Sequence, residues 1–112
     1  MAGFAVALKH EHAFRQELFL ALILLPFAVL LPLTLSERAL LVATLLLVLV
    51  VELLNSAVEA VVDRVSLDNN DLSKRAKDLG SAAVFLSCVI VLVVWGCVAG
   101  PVIAKLLLSP PG

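Results

Sequence analysis

Residues 18–35, 39–51 and 81–100 are three nearly unbroken apolar runs, set apart by short polar interruptions. A hydrocarbon core about 30 Å thick takes roughly 20 helical residues to cross. Each run therefore predicts a transmembrane helix, the second one continued by a sequence of different character. Ahead of them, residues 2–17 mix Phe4, Leu8 and Phe14 with Lys9, His10, Glu11, His12, Arg15 and Gln16. That weakly amphipathic pattern predicts a short helix lying in the headgroup region, with Glu11 and Arg15, four apart, able to pair on its surface.

The punctuation between runs sharpens these limits. Pro26 and Pro32 predict a kinked first span, which membrane helices tolerate. Thr34-Leu35-Ser36-Glu37 is a capping-box pattern that opens the second helix. Asn70 or Asp71 is a plausible cap for a helix running through Gly80 into the third span, and Gly100-Pro101 is expected to end or kink it. The chain thus reads as one all-α membrane domain over residues 1–112: a surface helix at 2–17, a first span at 18–35, and a second at 39–62 with a cytoplasmic extension. A polar loop at 66–78, a third span at 79–100 and a tail at 101–112, on the side of the membrane opposite that loop, complete it.

Where the second apolar run closes, the chain turns to Val51-Glu-Leu-Leu-Asn-Ser-Ala-Val-Glu-Ala-Val-Val-Asp-Arg64. With each helical residue advancing about 100°, and Glu52 as zero, Asn55 falls at about −60°, Ser56 at about +40°, Glu59 at about −20° and Asp63 at about +20°. All share one face; Leu, Val and Ala fill the other. An ionisable group at the bilayer centre costs on the order of 2.5–3.5 kcal/mol, so a stripe of this kind implies a use.

Composition agrees with the pattern. Of 112 residues 62% are apolar and the mean hydropathy is +1.14, against roughly 45–50% apolar in soluble domains. Eight Lys/Arg against nine Asp/Glu leave a formal charge of −1, with no basic cluster and no Tyr to suggest nucleic acid. Cys88 and Cys97, nine residues apart and on opposite sides of one helix, cannot pair with each other and read as small buried apolar residues. The first apolar run lacks the short basic opening and small-residue cleavage site of a signal peptide and is expected to be retained.

Six cations, Lys9, Arg15, Arg64, Lys74, Arg75 and Lys77, fall on one side of the predicted spans, and Arg38 and Lys105 on the other. That excess puts the amino terminus and the polar loop in the cytoplasm and the carboxyl terminus on the opposite side of the membrane. About 20 residues counted from Arg38 reach Ala57 or Val58. Glu59 and Asp63 then stand at the cytoplasmic interface, and Glu52 about 10 Å deeper.

No nucleotide-binding glycine loop, nucleophile elbow or zinc-protease motif is present. What the chain offers instead is carboxylates at a membrane surface beside a Lys- and Arg-rich segment. Carboxylates suit Mg²⁺ shared with phosphate oxygens, cations suit the phosphates, and a partly buried carboxylate can serve as a general base. Blander readings stand beside these. Glu52 could simply bond Asn55 or a neighbouring helix, and Glu59, Asp63 and Glu11 could be solvated surface charges. Lys74, Arg75 and Lys77 could serve only topology. His10 and His12 diverge on a helix, which disfavours a metal role, and Trp95 deep in the third span reads as packing by default.

Taken together, Glu11-His-Ala-Phe-Arg-Gln-Glu17, the 51–64 segment and Leu72-Ser-Lys-Arg-Ala-Lys-Asp-Leu-Gly-Ser-Ala-Ala-Val84 resemble the bacterial integral-membrane diacylglycerol kinases. The likeness runs from Gly3 to about Val98. It implies a homotrimer of three-span subunits, each with an amphipathic surface helix and with sites shared between neighbours, that uses ATP and Mg²⁺ to phosphorylate diacylglycerol to phosphatidic acid. Glu52 matches the base that takes the lipid hydroxyl's proton, and Asn55 an essential amide beside it. Glu11 and Glu59 match the metal-binding carboxylates that also hold the nucleotide; Asp68, Asn69, Asn70, Lys77 and Asp78 match positions around ATP. Ala13, Phe14, Arg15, Gln16, Glu17, Arg38, Ser81 and Trp95 match positions near the lipid path. The implied reaction is direct in-line transfer of the γ-phosphoryl group with no covalent enzyme intermediate. The family's amino-terminal segment is usually longer, and Ala5 stands where a basic residue is common, which leaves Lys9 and His10 to meet a nucleotide there. The carboxyl-terminal tail is longer than usual.

Two other functions share some of these features. Undecaprenol kinases use the same scaffold, although Asp63-Arg64 and the 73–81 segment look more like the diacylglycerol branch. A small proton-coupled transporter would also keep a membrane glutamate, but nearer the midplane and without an adjacent basic loop.

Overall fold

A computed structural model describes residues 2–65 and 71–108 of the chain. Among them are four helices, α1 (Ala2–His10), α2 (His12–Leu30), α3 (Leu35–Val65) and α4 (Asp71–Leu108), and no strand. Helices α2, α3 and α4 are each long and apolar enough to cross a membrane. At 1.5 Å per residue, α3 is about 46 Å long and α4 about 57 Å. Both exceed the hydrocarbon thickness of about 30 Å.

Helix α3 is the central element. A third of its apolar window is buried within the chain, against 11% for α2 and α4, and α4 packs along it more extensively than α2 does. The long apolar side chains of α2 and α4, among them Phe19, Leu22, Leu30, Phe85, Leu86 and Leu92, face outward, as a lipid solvent permits. At one end of the bundle Ala28, Leu41 and Ala99 form a buried cluster, with Val94 and Trp95 packed against it. Trp95 Nε1 donates to Thr44 Oγ1 at 3.1 Å, and Thr44 in turn donates to the Leu41 carbonyl at 2.8 Å. The default reading of Trp95 as a packing residue therefore acquires a specific partner.

The turn between α2 and α3 is built as the capping box demands. Thr34 N–H donates to Glu37 Oε1 at 2.9 Å, and Glu37 N–H to Thr34 Oγ1 at 3.1 Å. Arg38 then reaches back over the end of α2. Its guanidinium donates to the carbonyls of Ala28, Val29, Leu31 and Leu33. The last carbonyls of a helix have no partner within it and carry partial negative charge, so one planar fork of donors closes α2.

Several sequence expectations are corrected. The helix expected at 2–17 breaks at Glu11, which takes an extended conformation with φ −108° and ψ 103°, and residues 12–17 belong to α2. Helix α2 ends at Leu30 rather than 35; Pro32 lies beyond it, while Pro26 is carried inside. Of the segment 66–78 read as a loop, residues 71–78 are the first turns of α4. Nor does Gly100-Pro101 end α4, which continues to Leu108. One lost backbone bond at a proline does not outweigh a helix whose remaining polar groups have no water to turn to. Finally, Arg15 does not pair with Glu11. Its guanidinium donates to the carbonyls of Leu8 and Lys9 at 3.1 and 3.0 Å and so closes α1 as Arg38 closes α2.

Candidate functional site

The site lies where α1, the start of α2, the end of α3 and the start of α4 meet. A cavity of about 310 Å³ is lined there by Glu11, Ala13, Glu52, Asn55, Glu59, Ser81 and Val84. Three helices and the break between α1 and α2 supply these residues. The stripe on α3 contributes Glu52, Asn55 and Glu59, because positions three, four and seven residues apart recur on one helix face. The break between α1 and α2 contributes Glu11. It occupies the amino-terminal cap position of α2, yet its carboxylate makes no capping hydrogen bond, which leaves it for the cavity.

Glu52 is 4% exposed, the one buried carboxylate among the described residues. Glu17, Glu59 and Glu11 are all near enough for their charges to act on it. The Asn55 Nδ2 amide donates to Glu59 Oε1 at 3.3 Å, while Asn55 Oδ1 is buried with no hydrogen-bond partner among the described residues. Its α4 neighbour is Gly80, where an added Cβ would stand 2.0 Å from Oδ1.

The donor set is carboxylate and amide oxygen, which fits a hard divalent cation. Among the described residues, however, no three His, Cys, Asp or Glu side chains converge closely enough to cage one. Mg²⁺ shared with a nucleotide needs only one or two protein carboxylates, and Glu11 and Glu59 both line the cavity. The two fit that role.

Beyond the cavity the other expected residues divide. Lys77 forms an ion pair with Asp63 at 2.7 Å, so Asp63 joins α3 to α4. Asp78 is exposed on the same turn of α4. Asp68, Asn69 and Asn70 lie outside the described residues. Of the positions matched to the lipid path, Ala13 and Ser81 line the cavity, Phe14 is buried, and Gln16 contacts His12 at 3.2 Å. Arg15 is engaged with the end of α1. Arg38 is not near the carboxylates: 14 residues separate it from Glu52 along α3, about 21 Å. Trp95 sits opposite Thr44, eight residues from Glu52 and about 12 Å along the axis.

Sequence reading missed two contacts. Cys88, read as an inert apolar residue, faces the Glu17 carboxylate with Sγ 4.0 Å from Oε1. The two share an otherwise apolar slot of about 310 Å³ with Leu20, Leu24, Leu45, Val48 and Val91. Gly80 was read only as a residue the helix runs through. The signal in its favour was a glycine inside a helix opposite a polar stripe, where its helix-weakening backbone needs a reason.

Comparison with known proteins adds an independent line. The family described as prokaryotic diacylglycerol kinase matches residues 1–99. A diacylglycerol kinase of Pseudomonas aeruginosa is 52% identical over 98 residues, covering 88% of this chain and 80% of its own length. One from Haemophilus influenzae is 51% identical over 96 residues, covering 86% and 81%. One from Escherichia coli is 43% identical over 93 residues, covering 83% and 76%.

Proposed function

The chain belongs to the prokaryotic diacylglycerol kinase family, as a multi-pass membrane lipid kinase that transfers phosphate to an alcohol, and from that premise we propose that the cavity around Glu52 passes the γ-phosphoryl group of ATP to the hydroxyl of diacylglycerol, giving phosphatidic acid. One observation carries the reading. Oxygen-bearing side chains from separate elements, Glu11 at the α1–α2 break and Glu52, Asn55 and Glu59 on α3, line a single cavity.

Glu52 takes the proton from the lipid hydroxyl as its oxygen attacks the γ-phosphorus in line with the departing ADP. The bond to the bridging oxygen breaks as the new P–O bond forms, with no phosphorylated enzyme. Asn55 holds Glu59 through Nδ2 and keeps the face of α3 in order beside the base. Glu11 and Glu59 would hold Mg²⁺ with the nucleotide, and the bound ion would offset charge on the phosphoryl oxygens. Lys77 is half-exposed in its pair with Asp63, and exposed pairs hold weakly. It can therefore leave Asp63 for a phosphate. ATP enters from the cytoplasmic end, where Lys74, Arg75 and Lys77 project on the extension of α4. Diacylglycerol enters from the membrane, its hydroxyl at interfacial depth and its chains along apolar slots such as the one beside Glu17. The amino terminus faces the cytoplasm of an inner membrane, α1 lies as an amphipathic helix on its surface, and three copies of the chain complete the assembly.

The test is ATP-dependent phosphorylation of diacylglycerol and, in parallel, of undecaprenol, in mixed micelles with Mg²⁺. Labelled phosphatidic acid as the dominant product is the expected result. Label only in undecaprenyl phosphate would change the substrate, and no labelled lipid from either would overturn the reading.

A further inference from the structure

Gly80 on α4 faces Asn55 on α3 across a gap that only hydrogen fits. A Cβ at Gly80 would stand 2.0 Å from Asn55 Oδ1 and 3.1 Å from its Cγ; at Gly3, Gly96 and Gly100 it would meet nothing within 4 Å. One of the two Cα hydrogens of Gly80 lies along that direction and points at Oδ1, a C–H···O contact of the kind that recurs between packed helices. The opposite end of the amide is held as well, through Nδ2 to Glu59 Oε1 at 3.3 Å. These contacts agree on one orientation. A flipped amide would set N–H against C–H and turn its oxygen on a carboxylate.

We infer that Gly80 is a positioning residue for the phosphoryl transfer: by lacking a side chain it lets the Asn55 amide stand in the cavity, turned to Glu59 and three residues from Glu52. The inference rests on the proposed roles of Glu52, Asn55 and Glu59. Its consequence is specific. The atom that a new methyl group meets is the free end of the Asn55 side chain and not the backbone of α3. A Gly80→Ala chain therefore relieves the clash by rotating Asn55, which breaks the bond to Glu59 while the helices stay packed. Alanine is also the better helix former, so the fold does not suffer.

The experiment compares the full chain, Gly80→Ala, Asn55→Ala and the double variant in micelles. Asparagine labelled with ¹⁵N marks only Asn55, Asn69 and Asn70, and the side-chain amide signal lost in Asn55→Ala is that of Asn55. Gly80→Ala is expected to move that signal and to lower kcat by roughly tenfold to a hundredfold. The KM for lipid and the thermal midpoint are expected to stay at or near the original values. In the Asn55→Ala background the same methyl group is expected to raise the thermal midpoint and cost no further rate. An unmoved Asn55 signal, an undiminished kcat in Gly80→Ala, or an equal loss of midpoint in both backgrounds would overturn the inference. If the unaltered chain phosphorylates no lipid, the functional reading fails instead, and the amide signal still reports whether Gly80 orients Asn55.

Discussion

Glu52 is the residue on which the proposed phosphoryl transfer turns, and it stands out physically. A carboxylate 4% exposed in an apolar helix is costly, and this one lines the cavity at which the transfer is proposed. Replacing it with Gln keeps the volume and removes the base. Loss of a positioned general base slows a reaction by typically 10²–10⁴-fold, so Glu52→Gln is expected to lower kcat by about that factor with the thermal midpoint unchanged or raised. A variant that kept full turnover would remove Glu52 from the proton-transfer role and leave the fold as described. Asn55 is hydrogen-bonded through Nδ2 to Glu59, while its Oδ1 is buried against Gly80 with no hydrogen-bond partner among the described residues.

At the scale of elements, the helix ends are secured by arginines. Arg15 closes α1 and Arg38 closes α2 by donating to carbonyls in the last turn of each helix, and Arg38 also reaches the carbonyls of Leu31 and Leu33 just beyond α2. Both residues match positions near the lipid path in the family resemblance, and here their donors are engaged with backbone. Arg38→Met keeps most of the aliphatic length and strips four carbonyls of their donor. With an unsatisfied buried polar group costing roughly 1–3 kcal/mol, the variant is expected to lose about 2 kcal/mol of stability, read as a lower thermal midpoint in micelles. An unchanged midpoint would show that water or lipid headgroups satisfy those carbonyls equally well. The other decisive element is the one-residue break at Glu11. It ends α1, starts α2 and brings a carboxylate from the amino-terminal segment over the stripe on α3.

For the whole molecule, the distribution of burial has a consequence for assembly. A single chain buries little of α2 or α4, and its cavity opens beside apolar faces of α1 and α3. Helices that project carboxylates from an apolar layer gain from further copies that cover them. The proposed homotrimer gives a protein mass near three times 11.9 kDa in light scattering corrected for detergent. Activity is then expected to fall together with that mass as detergent is raised. A fully active species with the mass of one chain would remove shared sites from the account.

Much of this molecule follows from its residues in order. Apolar length predicts three spans, since a backbone crossing lipid must pair its own polar groups, as a helix of about 20 residues does. The 3.6-residue period puts Glu52, Asn55 and Glu59 on one face, and Thr34 with Glu37 spells out its own turn. The family, too, was legible, because three motif blocks stand at fixed separations along nearly the whole chain. What local rules could not supply was the partner of each polar group across helices. Arg15 had a carboxylate four residues away and turned to the end of α1. Asp63 had Arg64 beside it and took Lys77 from α4, and Cys88 faces Glu17 from a helix 71 residues further on. Such pairings depend on how helices cross, which periodicity along one helix does not encode. The same holds for Gly80. In sequence it is a weak spot in a long helix, and only the packing of α4 on α3 makes it the one place where the Asn55 amide fits.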